Sequence, residues 1–252
     1  MAEDFVLDLT DEQVDFYREN GYLTVDRITT DDEVEKLKVL YEDAINSSMG
    51  RIKFEGKRED GSTGHITQVI APELSHPELL ESIYFRNARN AALKLAGITS
   101  EQVQRQGTMF IYKPERAGRD TPWHQDEAYW KDFETLKANS LSCWMPLDNV
   151  TVESGCMWYL PKSQALDILN YKRVGGPQPI VLDSDVDLST AVSCPMPAGA
   201  AVFHHCRILH FAGTNTTDNK RRAMSAVFHG PTVDREVPIP RPWLDEPLGV
   251  HG

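Results

Sequence analysis

The stretch from about residue 105 to residue 230 constrains the fold most strongly. It consists of short apolar runs separated by proline and glycine, and few of these runs have a helical period. Many short strands with turn signals and no helices between them predict an antiparallel jelly roll. The candidate strands are residues 107–113, 123–127, 140–147, 155–160, 178–182, 199–204 and 221–229.

The first hundred residues have a helical pattern instead. Three sequences of the capping-box type, at residues 10–13, 30–33 and 75–78, predict helix starts. A short strand is expected at residues 22–25, between the first two helices. The third helix is predicted over about 78–95, where its apolar stripe is typical of core packing.

No linker separates the two patterns, so the chain is predicted to form one domain over residues 1–252. Its fold class is mainly β with flanking helices (α+β): a double-stranded β-helix, or cupin-like jelly roll, with the N-terminal helices packed on the barrel. We expect a mainly helical part over 1–104, the jelly-roll core over 105–230 and a proline-rich tail over 231–252 that lies across the surface.

Two further segments interrupt the helical part and the barrel. Residues 46–64 are polar, charged and rich in glycine, which indicates a mobile surface loop and a candidate lid. Residues 162–197 are predicted to be a long insertion within the barrel.

Composition restricts the partners. A formal charge of −12 disfavours nucleic acid, whose binding requires basic patches. The four cysteines have no CxxC spacing, which indicates reduced thiols in an intracellular protein. The acidic start and the lack of any long apolar run argue against a signal peptide and a membrane span. We therefore expect a cytoplasmic protein that binds neither membranes nor nucleic acid.

A possible metal site lies in the sequence TPWHQDE, residues 121–127. His124 and Asp126 are two positions apart, so in an extended strand both side chains point to the same face. One more imidazole would complete a facial triad of two histidines and one carboxylate, which leaves three neighbouring positions open on Fe(II). The segment 199–222 offers three further histidines, and its local pattern does not choose among His204, His205 and His210.

Four motifs resemble, in kind and in order, those of the phytanoyl-CoA dioxygenase family of Fe(II)/2-oxoglutarate oxygenases. The N-terminal sequence LTDEQVDFYRENGYLTV is also typical of that family, and the resemblance extends from about residue 10 to residue 229. The motifs are WHQD at 123–126, WMPLDNVTVESGCMWYLPKS at 144–163, GAAVFHHCRILHFAGTN at 199–215 and RRAMSAVF at 221–228.

The resemblance implies roles for individual residues. His124, Asp126 and His210 would be the iron ligands, and Arg221 would bind the far carboxylate of 2-oxoglutarate, with Arg222 as the alternative. The family often has serine where this chain has Ala212, so Thr214 is the candidate substitute. From the strand pattern itself, Tyr112, Ser142 and Trp144 are candidates for the pocket wall.

The implied activity is hydroxylation of a small organic molecule. Fe(II) would be the cofactor, 2-oxoglutarate and dioxygen the cosubstrates, and succinate and carbon dioxide the products. We expect a free metabolite, such as an intermediate of secondary metabolism, rather than a CoA thioester, because CoA phosphates favour a basic groove. The alternatives are a cupin-like metal- or small-molecule-binding protein and a metal-dependent isomerase or hydrolase. The arginine after His210 favours the oxygenase.

Overall fold

The computed structural model describes residues 5–47, 51–57, 63–116, 120–173 and 180–245. The α-helices are α1 Asp11–Asn20, α2 Asp31–Asn46, α3 Ile83–Ala96 and the short α4 Pro242–Asp245. The strands are β1 Tyr22–Val25, β2 Arg51–Lys57, β3 Thr63–Ile70, β4 Arg105–Lys113, β5 Thr121–His124, β6 Leu136–Lys137, β7 Ser140–Pro146, β8 Met157–Tyr159, β9 Tyr171–Arg173, β10 Ile180–Leu182, β11 Val192–Cys194, β12 Ala201–His205, β13 His210–Ala212, β14 Arg221–His229 and β15 Val233–Asp234.

Two antiparallel sheets form the barrel. The major sheet has the order β1-β12-β7-β14-β4-β3-β2 and the minor sheet the order β11-β8-β13-β5, while β9–β10 and β6–β15 are separate pairs. Among the described residues no strand pairing closes one sheet onto the other. The prediction of a mainly β jelly roll with flanking helices is confirmed.

Alternation along the strands gives the major sheet two different faces. On β7, Cys143 and Met145 pack with the helices, and the Tyr84 hydroxyl of α3 donates to the Cys143 carbonyl oxygen at 2.7 Å. Trp144 points the other way, into the space between the sheets, where it joins Tyr159 of β8. The helices therefore cover one face, and the barrel interior lies on the other.

The helix starts were predicted correctly for α1 and α2 but not for α3. Thr10 closes a capping box with Gln13, and Thr30 caps α2. The third predicted box is wrong: residues 77–81 form a 3-10 turn that starts with a proline, and α3 begins only after Ser82, whose hydroxyl accepts the Phe85 N–H at 3.1 Å. The sequence alone could not show that a side chain of α2 provides a second cap for α3.

The predicted loop, insertion and tail all contain regular or buried structure. Residues 51–57 of the expected loop form β2, paired with β3, while residues 48–50 and 58–62 lie outside the described residues. The expected insertion contains β11, which pairs with β8 in the minor sheet. In the tail, β15 pairs with β6, and Arg241 and Trp243 are buried rather than lying across the surface.

The strand around the His-x-Asp pair also differs from the prediction. The strand ends at His124, and Asp126 begins a 3-10 turn, but Gln125 between them keeps the extended backbone that turns both side chains to the same side. The strand β13, which carries His210, was missed because its three residues are too short to show a period. Among the described residues, no helix combines the length and apolar character needed to cross a membrane.

Glu33 of α2 caps the start of α3, which suggests a test of how the helical layer is held together. Its carboxylate accepts the N–H groups of Ile83 at 2.6 Å and Tyr84 at 2.7 Å, and the Thr29 hydroxyl also donates to it. We expect Glu33→Ala to lower the free energy of unfolding by about 1.5 to 3 kcal/mol, because three donors lose a charged acceptor.

Urea denaturation checks this expectation. Glu35→Ala is the matched control, since the exposed Glu35 lies on the same helix and contacts only Lys38 among the described partners. Equal losses in the two variants would contradict the capping role.

Candidate active site

Three potential metal ligands meet at the inner surface of the minor sheet. His124 ends β5, His210 begins β13, and these two residues are direct partners in the sheet. Asp126 begins the 3-10 turn after β5. The ligand atoms of all three lie within 4.8 Å of one another, and the Asp126 Oδ1 is 3.6 Å from the His124 Nε2 and 3.5 Å from the His210 Nε2.

Backbone carbonyl groups orient both imidazoles. The Nδ1 of His124 is 2.7 Å from the Pro122 oxygen, and the Nδ1 of His210 is 3.0 Å from the Ile208 oxygen. A carbonyl oxygen can only accept, so each Nδ1 carries the hydrogen and each Nε2 presents its lone pair towards Asp126. This is the arrangement that a histidine ligand requires.

The electrostatics of the cluster suit a divalent cation. Burial and the neighbouring His210 lower the pKa of His124, which favours the neutral, ligating form of the imidazole. Burial alone would raise the pKa of Asp126, but attraction to His210 and the neighbouring imidazoles of His124 and His204 outweigh it and hold that pKa well below its usual range. The site thus combines a neutral His124 imidazole with an anionic carboxylate.

His204, a candidate for the third ligand, lies on the far side of the same carboxylate. Its Nε2 is 3.3 Å from the Asp126 Oδ2, and its Nδ1 is 3.1 Å from the Tyr159 hydroxyl. The Ser142 hydroxyl, one of the predicted pocket residues, donates to the same Oδ2 at 3.3 Å. Tyr159 was missed, and the only signal for it was its place in the minor-sheet strand that precedes the long insertion.

His205 faces away from this cluster. Its Nδ1 accepts the Arg207 N–H at 3.0 Å. Burial, followed by the charge of Arg207, lowers the pKa of His205 to about 3, so its imidazole stays neutral.

Arg221 lies inside the barrel and is almost completely buried, with 1% of its surface exposed. One of its terminal nitrogens donates to the Gly155 carbonyl oxygen at 2.9 Å, and its guanidinium stacks 4.7 Å from the ring centre of Trp144. Within the part of the chain that the structure describes, its Nε and the Trp144 Nε1 have no hydrogen-bond partner. Burial lowers the pKa of Arg221 to about 10, which still leaves it charged at neutral pH.

Arg222 points to the helix-covered face and has its charge matched there. It forms two hydrogen bonds with the Asp148 carboxylate, at 2.9 and 2.7 Å, and contacts Glu42 of α2 at 3.0 Å. Strand alternation thus separates the two arginines: one is paired with carboxylates outside the barrel, and the other is buried inside it.

Lys113, which the sequence did not suggest, is a second buried cation beside Arg221. The two residues are partners on β4 and β14, and Lys113 is fully buried. Its ammonium donates to the carbonyl oxygens of Ala212, at 2.8 Å, and Gly213. Among the described residues, no carboxylate lies at ion-pair distance from either cation. Burial, and then the charge of Arg221, lower the pKa of Lys113 well below its usual range.

The backbone segments that accept hydrogen bonds from Arg221 and from Lys113 lie in close contact. Gly155 has a φ of +81°, and a Cβ there would lie 2.3 Å from the Gly213 oxygen, so only glycine fits. Thr214 follows Gly213 and is half-buried.

The structure does not bring Tyr112 to the cluster. It shares the helix-covered side with its strand partner Arg222, packs near Tyr41 and donates to Glu115 at 3.4 Å.

Comparisons with known proteins agree with this geometry. The sequence profile described as "Phytanoyl-CoA dioxygenase (PhyH)" matches residues 17–223. The peroxisomal phytanoyl-CoA dioxygenase of Bos taurus is 26% identical over 230 residues, which cover 86% of this chain and 67% of that protein.

Two solved structures extend the comparison. EvdO2 from Micromonospora carbonacea var. aurantiaca has a TM-score of 0.83 at 31% identity, with 96% of this chain and 99% of that chain covered. Its complex with 2-oxoglutarate gives a TM-score of 0.80. SnoK, a non-heme alpha ketoglutarate dependent carbocyclase from nogalamycin biosynthesis, has a TM-score of 0.68 at 27% identity, with 91% of this chain and 88% of that chain covered.

The family profile covers most of the chain, and the structures similar to it include one that holds 2-oxoglutarate. The metal-ligand set His124, Asp126 and His210 has the composition of a non-haem iron site. The chain belongs to the phytanoyl-CoA dioxygenase (PhyH) family of Fe(II)/2-oxoglutarate-dependent oxygenases.

Proposed function

We propose that this oxygenase hydroxylates a small organic metabolite, with His124, Asp126 and His210 as the iron ligands. The observation that carries the assignment is the convergence of two imidazole Nε2 atoms and one carboxylate within 4.8 Å. Bound Fe(II) supplies the redox chemistry by which dioxygen oxidises 2-oxoglutarate and the substrate. In the net reaction, one oxygen atom enters the substrate as hydroxyl and the other enters succinate, with release of carbon dioxide.

Arg221 binds the far carboxylate of 2-oxoglutarate in this proposal. The guanidinium is buried, its Nε lacks an acceptor among the described residues, and the Lys113 side chain lies beside it. A buried charge without a counter-ion is costly, so the site favours an anion. Trp144 forms the wall against which Arg221 is held, and Thr214 is the hydroxyl-bearing residue that we place near the cosubstrate. Tyr112 is left out of the proposed site because it lies on the opposite face of β4.

The substrate is assigned to the other end of the barrel interior. The interior positions of β7 run from Trp144, beside Arg221, through Ser142, beside Asp126, to Ser140. At that end the Ser140 hydroxyl is 3.0 Å from the His229 Nδ1, and the His229 ring is 4.8 Å from the Trp130 ring. A substrate there would face the metal from the side opposite the cosubstrate.

A free metabolite is favoured over a CoA thioester. The net charge of −12 disfavours a ligand rich in phosphate, and SnoK shows that a similar fold serves a biosynthetic pathway. The bovine relative, named for phytanoyl-CoA, makes the thioester the second candidate. Succinate release from 2-oxoglutarate, measured with matched pairs of free acids and their CoA thioesters beside a panel of biosynthetic intermediates, distinguishes the two.

The ligand assignment predicts how histidine variants bind iron. His210→Ala should abolish stoichiometric Fe(II) binding in an anaerobic titration, because one of only three protein ligands is lost. His204→Ala should keep the site but weaken it by about 10- to 100-fold, since this imidazole orients Asp126. His205→Ala is the control and should bind as the unmodified protein does. Loss of binding in His205→Ala with retention in His210→Ala would show that the third ligand is misassigned.

The cosubstrate assignment predicts opposite outcomes for the two neighbouring arginines. Arg221→Met should weaken 2-oxoglutarate binding by about 2 to 5 kcal/mol, or about 30- to several-thousand-fold, because the carboxylate loses a buried partner. Arg222→Met should leave this affinity nearly unchanged, since Arg222 already pairs with Asp148 and Glu42.

Anaerobic equilibrium titration with Fe(II) present gives both dissociation constants. A 2-oxo acid that lacks the far carboxylate, such as 2-oxobutyrate, is the internal control, and Arg221→Met should hardly change its binding. A larger loss in Arg222→Met, or an equal loss for both acids in Arg221→Met, would contradict the role of Arg221.

A further inference from the structure

The position of Asp126 depends on side-chain contacts of its neighbours more than the positions of the other two ligands do. His124 and His210 lie on paired strands, whereas Asp126 begins a 3-10 turn that has no sheet partner. On one side of it, Gln125 is fully buried, and its side-chain NH₂ donates to the Arg207 carbonyl oxygen at 2.8 Å. On the other side, Glu127 is also fully buried.

Three arginines surround the Glu127 carboxylate. Arg207 donates to its Oε2 at 2.8 Å, Arg235 donates to its Oε1, and Arg241 donates to the same Oε1 at 3.5 Å. The Glu127 N–H also donates to the Cys206 oxygen at 3.0 Å. A fully buried carboxylate with three guanidinium partners is fixed in position, because moving it would leave buried charges unpaired.

Two of these arginines come from residues 233–245, which we call the C-terminal strap. The strap begins at β15, which pairs with β6, and its Arg235 donates to the Leu136 oxygen at 2.9 Å. The Trp243 Nε1 of the strap donates to the Ala128 oxygen at 3.0 Å, and Ala128 belongs to the turn that Asp126 begins. The strap therefore contacts both residues that follow Asp126.

The strap lies beyond the family match, which ends at residue 223. Both of its arginine side chains are buried: Arg241 is fully buried, and 3% of the Arg235 side chain is exposed. The Nε and Nη1 of Arg241 have no hydrogen-bond partner among the described residues. A surface tail that served only to cover the barrel would not need two buried cations directed at one carboxylate.

We propose that the C-terminal strap is a positioning element of the iron site: Arg235 and Arg241 hold Glu127, and through it Asp126, in the geometry that binds the metal. The proposal rests on the assignment of Asp126 as an iron ligand. The strap residues touch neither metal nor substrate and act only through the turn at 126–129.

The test compares Fe(II) affinity with thermal stability in strap variants. Arg235→Met and Arg241→Met should weaken anaerobic Fe(II) binding by about 10- to 100-fold, the usual effect of losing a group that orients a metal ligand. Arg235→Lys and Arg241→Lys keep the charge and should recover part of the affinity. Lys131→Met removes an exposed contact between the strap residue Asp245 and the same region, and should bind Fe(II) normally.

A spectroscopic signal separates positioning from simple stabilisation. Co(II) bound at the site should show a changed ligand-field spectrum in the methionine variants at temperatures where they remain folded. Wild-type affinity and spectrum together with a lowered melting temperature would overturn the proposal, because the strap would then only stabilise the fold. Should the methionine variants not fold, Glu127→Gln, which keeps the shape and removes the charge, decides by the same two signals.

Asp126→Ala distinguishes failure of this proposal from failure of the ligand assignment. If Asp126→Ala loses Fe(II) while the strap variants retain it, the strap proposal is wrong and the iron site stands. If Asp126→Ala itself retains Fe(II), the ligand assignment fails and the strap proposal fails with it.

Discussion

The Asp126 carboxylate is the interaction on which the rest of the site depends. One of its oxygens faces His124 and His210, and the other faces His204 and Ser142. The surrounding imidazoles and hydroxyl keep this carboxylate anionic in a largely buried position. Because the backbone carbonyl groups fix the protonated nitrogen of both flanking histidines, the cluster has the ligand types, the charge and the orientation that a divalent metal requires before any metal arrives.

Strand alternation determines which face of β14 carries each of its two arginines. Consecutive residues of β14 place Arg221 inside and Arg222 under the helices, so neighbouring arginines have unrelated tasks: one is a buried charge beside Lys113, and the other ties β14 to Asp148 and to α2. A shift of one residue in this strand would exchange these roles, and the helical layer fixes the register by burying the alternate apolar residues Met224 and Ala226.

Sequence predicted the strands β4, β7 and β14 better than the local geometry around Asp126. β14 begins and ends at the predicted residues 221 and 229, and the caps at Thr10 and Thr30 are local signals. The choice between Arg221 and Arg222 could not be made from alternation alone, since either face could be the interior. The turn at Asp126, the second cap of α3 by Glu33 and the burial of Arg241 all depend on partners more than 45 residues away in the chain, which no short pattern records.

A crystal structure with Fe(II) and 2-oxoglutarate, prepared without oxygen, tests the central claim most directly. The account predicts one metal bonded to the His124 Nε2, an Asp126 carboxylate oxygen and the His210 Nε2, with the far carboxylate of 2-oxoglutarate in contact with Arg221. A metal bonded to His204 or His205 in place of His210, or a far carboxylate bound at Arg222, would contradict it.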